Sequence, residues 1–191
     1  MRRLNEFLDG LLPLLDGDEA KATGEITTTR LAVNIPGAPP PPVYMAALGP
    51  QMLKVTGRRT AGTMTWMTGP RTLADHIIPT LDGVTPPGGR RAEVVAGFPV
   101  CVTDAPDQAR AHAAEIFEIY GLQPSYRAML DREGYGGPAD VAIIGNEAEV
   151  SRQIDAIAAL GVEELSGYVF ARTAEDDERT RNLLASRARL R

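Results

Sequence analysis

The chain is poor in the residues that build metal and redox centres. It has one cysteine, Cys101, and two histidines, His76 and His112. A single cysteine excludes a disulfide within the chain and any CxxC motif. Two histidines exclude a His-rich metal site, and no metal is expected. Lysine is nearly absent: Lys21 and Lys54 stand among 20 basic residues, and 25 acidic residues bring the formal net charge to −5. That balance argues against an electrostatic nucleic-acid binder, which needs a basic face. No apolar run approaches about 18 residues, so no transmembrane helix is expected. The N-terminus has the arginines of a signal peptide but neither its apolar stretch nor its cleavage site, so the cytoplasm is the expected location. A GxGxxG fingerprint is also missing, which disfavours a nucleotide-fold dehydrogenase. No nucleophile–base pair stands out, which disfavours triad hydrolysis.

What is present is a globular composition, 43% apolar and 24% charged, over 191 residues. That length suggests one domain. Residues 2–15 carry Leu4, Phe7, Leu8, Leu11, Leu12 and Leu15 on one helical stripe, with Pro13 a kink and Gly17 a stop. Residues 27–31 are β-prone, and the run 35–42 is a stiff proline-rich stretch. Strands are expected at 43–47, 60–67, 93–102 and 164–170. Helices are expected at 50–56, 70–82, 105–119, 124–132, 147–160 and 174–189. Pro50 suits a first helical turn and Gly57 a helix end. Asp104 suits a cap for the helix at 105, and Asn146 with Glu149 forms a capping box. The alternation of nearly continuous apolar strands with helices predicts an α/β fold with about four parallel strands and outer helices. An open doubly wound sheet and part of a (β/α)8 barrel both satisfy this pattern.

The strongest candidate site is Ala46, Ala47, Gly49, Pro50, Gln51 and Met52. Small residues at a strand's C-terminal end allow close backbone approach to a ligand. The following helix turns free N–H groups and its positive end toward that ligand, a setting suited to phosphate. Thr65 and Trp66 end the next strand, where barrel active sites collect. Thr63 shares a strand face with Thr65. A core tryptophan with its N–H satisfied is an equally good reading of Trp66. His76 and His112 are expected at the surface or half-buried. Cys101 is expected as an inert buried thiol. Tyr126 and Arg127 fit a pocket mouth or plain helix packing, and no catalytic residue is assigned.

The segment Pro42-Val43-Tyr44-Met45-Ala46-Ala47-Leu48-Gly49-Pro50-Gln51-Met52-Leu53, with Thr56-Gly57 and Thr60-Ala61-Gly62, resembles the luciferase-like monooxygenase family. It is most similar to the branch that uses the deazaflavin coenzyme F420. Residues 141–147 and 158–162 resemble a later segment of the same family, and 122–127 an insertion of its actinobacterial members. The resemblance implies the C-terminal half of a (β/α)8 TIM barrel, strands five to eight, with the N-terminal half missing from the truncated chain. It implies an oxidoreductase or monooxygenase that transfers hydride between F420, or alternatively FMN, and a small-molecule substrate. Ala61 and Gln51 stand where the family has aspartate and a basic residue. A non-catalytic binding module is the alternative. Half a barrel leaves two strand edges unpaired, so a homodimer is expected.

Overall fold

The computed structural model describes residues 1–188. Helix α1 (Arg2–Leu15) retains Pro13 inside it and gives way at Gly17, whose φ is +82°. An antiparallel hairpin follows, β1 (Ala20–Thr23) and β2 (Thr28–Leu31). The Glu6 carboxylate on α1 accepts the N–H groups of Glu25, Ile26 and Thr27 at 3.1, 2.8 and 2.8 Å, which fixes the hairpin turn.

The rest is a parallel sheet with helical crossovers. The elements are β3 (Tyr44–Met45), α2 (Pro50–Arg59), β4 (Gly62–Trp66) and α3 (Pro70–Thr72). A π-helical turn, Leu73–Ile77, joins α3 to α4 (Ile78–Asp82). Then come β5 (Glu93–Val102), α5 (Pro106–Ile116), α6 (Glu118–Leu122) and α7 (Pro124–Glu133). The described chain closes with β6 (Ile143–Gly145), α8 (Glu147–Ala158), β7 (Glu164–Val169) and α9 (Ala174–Arg187). The expected four strands are β3, β4, β5 and β7. The short β6 was not foreseen. The expected end of the last helix, residue 189, lies outside the described residues.

Strand β5 organises the sheet. Val95 is in register with Met64 on β4 and with Glu164 on β7, so those strands flank it on opposite edges. Strand β6 pairs with β5 at Val100–Val102, on the β4 side but further along. Pro99 falls in the gap between them. Its odd-numbered neighbours direct their N–H groups toward that edge, as Glu93 does to the Ala61 carbonyl and Thr103 to the Gly145 carbonyl. A residue without an N–H therefore costs nothing there, although proline is otherwise excluded from central strands.

Alternation along the strands separates two faces. Val94, Ala96, Phe98, Val100 and Val102 are buried together with Leu53, Leu73, Ile77, Leu81 and Val150 from the crossover helices. Gly167 of β7 lies under α9: a Cβ there would stand 2.9 Å from Leu184. The opposite face is partly open, with Met64 49% and Tyr168 55% exposed. Helices α2, α4, α8 and α9 cover one side of the parallel sheet, while Phe117 and Tyr120 from the α5–α6 region pack on Trp66, Tyr168 and Phe170 of the other.

Two expected helix ends move. Helix α2 runs through Gly57 to Arg59. Gly57 serves close packing instead, since a Cβ would come within 2.5 Å of Val84. The helix expected over 105–119 breaks at Phe117 into α5 and α6. No helix among the described residues is long and apolar enough to cross a membrane.

Helix α9 is locked to the end of β5. The Val102 N–H donates to the fully buried Thr180 hydroxyl at 2.8 Å, and that hydroxyl donates to the Asp176 carbonyl at 2.6 Å. Thr180→Val leaves a buried N–H without an acceptor and is expected to cost about 1–3 kcal/mol. Thr180→Ser should retain most of the stability. Denaturant unfolding of the two variants checks this.

Candidate functional site

All strands of the sheet are parallel, so their C-terminal ends share one rim. The segment Ala46 to Met52 leaves β3 on that rim. Ala46, Gly49, Pro50 and Gln51 are exposed, Met52 is half-buried and Ala47 is buried. Three consecutive residues are held. The Ala47 N–H donates to the Thr63 hydroxyl at 3.3 Å, and that hydroxyl lies 3.0 and 3.1 Å from the Met45 and Ala47 carbonyls. The Leu48 carbonyl accepts from His76 Nε2 at 2.9 Å. The Gly49 carbonyl accepts from the Leu53 N–H at 3.0 Å.

With its carbonyls fixed, the turn presents the start of α2. Gly49 is the N-cap, Pro50 the first helical residue, and no side chain caps the helix. A Cβ on Gly49 would meet no atom within 4 Å. The amides of Gln51 and Met52 have no side-chain acceptor among the described residues and lie beside this open glycine at the positive end of a ten-residue helix.

A second α-helix of the chain begins with Gly-Pro, and there the same geometry is filled. At Gly69-Pro70 the Glu133 carboxylate accepts the Arg71 and Thr72 N–H groups at 3.3 and 2.5 Å. A Cβ on Gly69 would clash with Glu133 at 2.5 Å. The two starts differ in one respect that matters for binding: one already holds an anion from its own chain.

Trp66 ends β4 on the open face. Its ring meets Phe117, Tyr120 and Tyr168 edge-on at centroid distances of 6.1, 5.9 and 5.9 Å. Edge-to-face contacts of this kind each add about 0.5–1.5 kcal/mol beyond burial. The indole reaches over Gly97, where a Cβ would stand 3.0 Å from its Cε3. Its Nε1 is buried with no hydrogen-bond partner among the described residues, so the satisfied N–H of an ordinary core tryptophan is not what the structure has. Met67 follows with φ +52°, a left-handed conformation uncommon for a residue with a side chain. Thr65 lies on the helix-covered face, buried, with its hydroxyl unpartnered among the described residues. Thr63 shares that face, so neither hydroxyl points to the open side.

Other sequence expectations change. His76 is buried, 7% exposed, not a surface group. Asp104 is not a helix cap; the N-cap of α5 is Ala105, which makes no side-chain cap bond, and Asp104 pairs with Arg179. His112 is half-buried, as expected. Cys101 is buried, and desolvation pushes its thiol up to about 11, so it stays inert at neutral pH. Tyr126 meets Tyr120 edge-on at 5.1 Å, and Arg127 bonds Asp131 and the Tyr135 and Gly136 carbonyls, which is packing. The Asn146–Glu149 capping box forms with both bonds at 3.0 Å. Sequence reasoning missed His76, Tyr120 and Tyr168. For His76 the signal was present: it sits three residues after Leu73 on the stripe Leu73, Ile77, Leu81. No group of metal-ligating side chains occurs among the described residues.

A parallel sheet with helical crossovers and all strand C-termini on one rim is the layout of part of a (β/α)8 barrel. The chain belongs to the luciferase-like monooxygenase family, whose sequence model matches residues 1–164. It is similar in fold to a coenzyme F420-dependent tetrahydromethanopterin reductase from Methanopyrus kandleri, with TM-score 0.69 and 18% identity over 96% of this chain and 61% of that one. An F420-dependent secondary alcohol dehydrogenase in complex with an F420-acetone adduct gives TM-score 0.68 and 17% identity, over 88% of this chain and 56% of that one. A monooxygenase from Streptomyces bottropensis gives TM-score 0.65 and 19% identity, over 96% and 59%. The chain therefore spans about three fifths of the length of these structures. No curated protein sequence matches it.

The far part of the rim is closed by charge. Arg179 of α9 bonds Asp104 after β5 at 3.0 Å and Glu147 after β6 at 2.8 Å. Its guanidinium holds the Glu147 carboxyl at about 2, below the usual 4.5. A depressed carboxylate stabilises the fold above its unfolded pKa and loses that contribution as pH falls through the folded one. Acid between about pH 4.5 and 2 should therefore loosen α9. Arg179→Met should remove this part of the acid sensitivity, measured as the melting temperature against pH.

Proposed function

We propose that this chain holds the phosphate-bearing tail of a redox coenzyme, F420 or alternatively FMN, on the amides of Gln51 and Met52. In this reading the ring lies toward Trp66, and the reaction is hydride transfer with a small organic substrate. The observation that carries the reading is the uncapped start of α2, open where the equivalent start of α3 is filled by Glu133. The fit is physical: an anionic oxygen at α2 would accept two backbone N–H groups and face the helix's positive end. Family membership and the F420-dependent structural relatives support the identity of the coenzyme.

The bound coenzyme supplies the hydride chemistry through its ring. The protein's work is placement. Ala46 and Gly49 keep side-chain volume away from the approach to the amides. Thr63, His76 and the first turn of α2 hold the carbonyls of the turn in place. Trp66, Tyr120 and Tyr168 offer an apolar wall that excludes water, and the buried indole N–H is a donor available to an oxygen on a bound ring or substrate once that wall opens.

A second reading, a binding module without catalysis, is favoured by the exposed side of the sheet at Met64 and Tyr168. In that reading two copies pair, each covering the other's open face. A concentration-dependent mass in light scattering, with no coenzyme binding, supports it.

The chain has one tryptophan, so emission from Trp66 reports directly on the candidate site. Titration with F420 and with FMN should quench it with micromolar affinity. Gly49→Val places methyl groups where no atom now stands, at an extended residue with φ −78°. It should leave the melting temperature unchanged and weaken binding about tenfold or more. Unchanged emission in the wild-type titration with both coenzymes rejects the proposal.

A further inference from the structure

We propose that His76 is a positioning residue for the β3–α2 turn: its imidazole sets the direction of the Leu48 carbonyl and thereby the aim of the Gln51 and Met52 amides. This rests on the reading that those amides meet a phosphate.

The geometry begins with Pro79. A proline has no N–H, so the bond that would close an α-turn onto the Asp75 carbonyl is missing. The helix relaxes to a wider turn here, in which the Ile78 N–H reaches back five residues to the Leu73 carbonyl. Wide turns of this kind recur at functional sites. On this turn Leu73 and Ile77 are fully buried, and His76 shares their inward face. The imidazole crosses to the neighbouring strand–helix unit and meets the Leu48 carbonyl, 28 residues earlier, at 2.9 Å. A carbonyl oxygen only accepts, so Nε2 carries the proton.

The contact sits at the middle of the turn. Ala47 before it is tied to Thr63, and Gly49 after it to Leu53. Leu48 has a side chain that is only half-buried, so the polar anchor of this residue is its carbonyl bond to His76. Removing that bond frees the peptide unit between Leu48 and Gly49 to rotate, and with it the plane that leads into the first turn of α2. The wide turn in the helix and the open amides of the next unit are thus joined through one buried hydrogen bond.

The test compares wild type, His76→Leu and His76→Gln. Glutamine carries an N–H donor near the position of Nε2 and leucine does not. The first readout is hydrogen exchange in the chain without ligand. His76→Leu should speed exchange at the hydrogen-bonded Ala47 and Leu53 amides about tenfold while leaving β5 protected, and His76→Gln should restore most of the protection. The second readout is the affinity for FMN against riboflavin, which differ by the phosphate. His76→Leu should weaken FMN about tenfold and riboflavin little, because only the phosphate meets the misaligned amides.

Unaltered exchange at Ala47 and Leu53 in His76→Leu overturns the proposal. So does an equal loss for FMN and riboflavin, which marks a general structural role. If wild type binds neither flavin nor F420, the coenzyme reading fails. In that case altered exchange in His76→Leu still supports the brace.

Discussion

The arrangement depends on β5 being hydrogen-bonded along both edges. Both of its faces are covered as well, so it is apolar throughout: from Val94 to Val102 every residue is buried. It must also accept parallel neighbours, because its partners arrive through helical crossovers rather than tight turns. Parallel pairing then directs every strand's C-terminal end to one rim. The position of the candidate site follows from this: the residues after β3, β4, β5 and β7 are neighbours although they lie far apart in sequence. Pro99 shows how tightly the constraint is set. It occupies the interval in which β4 has ended and β6 has not begun, on the edge where its missing N–H has no partner to lose.

Local signals in the sequence were strong where one element decides its own structure. The apolar run at 93–102, the leucine stripe of α1 and the Asn146–Glu149 box each carry their periodicity or cap within about a dozen residues, and each forms as expected. Strand β6 has three residues and no alternation to detect. Strand β1 depends on Glu6 holding the hairpin turn from another element. Gly57 looked like a helix stop because glycine usually is one, but the space it leaves is taken by Val84.

The candidate turn is legible in the sequence, and its supports are not. Small residues followed by Gly-Pro at the end of an apolar strand are a local pattern, and residues 46–52 could be read from it. The contacts that hold them are long-range. His76 reaches Leu48 across 28 residues, and Glu133 reaches Thr72 across 61. Nothing in the sequence pairs them. Trp66 belongs to the same class. Its position at a strand end was visible, whereas its aromatic neighbours come from α6 and β7, which only the fold brings together.

The distribution of carboxylates explains why α2 stands apart from its neighbours on an acidic chain. Exposed backbone N–H groups attract the nearest negative oxygen, and this protein supplies its own in several places. Glu6 takes the hairpin turn, Glu133 the start of α3, and Glu149 the Asn146 N–H at the start of α8. Each of these amide groups is thereby closed to an outside anion, and each carboxylate is kept where the field of a helix or turn favours it. At α2 the first turn contains no acidic residue and no side chain caps it. Gln51 and Met52 follow Pro50 instead, a neutral pair that neither fills the amides nor repels what would. A chain with a net charge of −5 gives an anion little general attraction, so binding must be earned locally. In the proposed reading, the uncapped, small-residue turn held by Thr63 and His76 supplies that local attraction at the rim where barrel active sites collect.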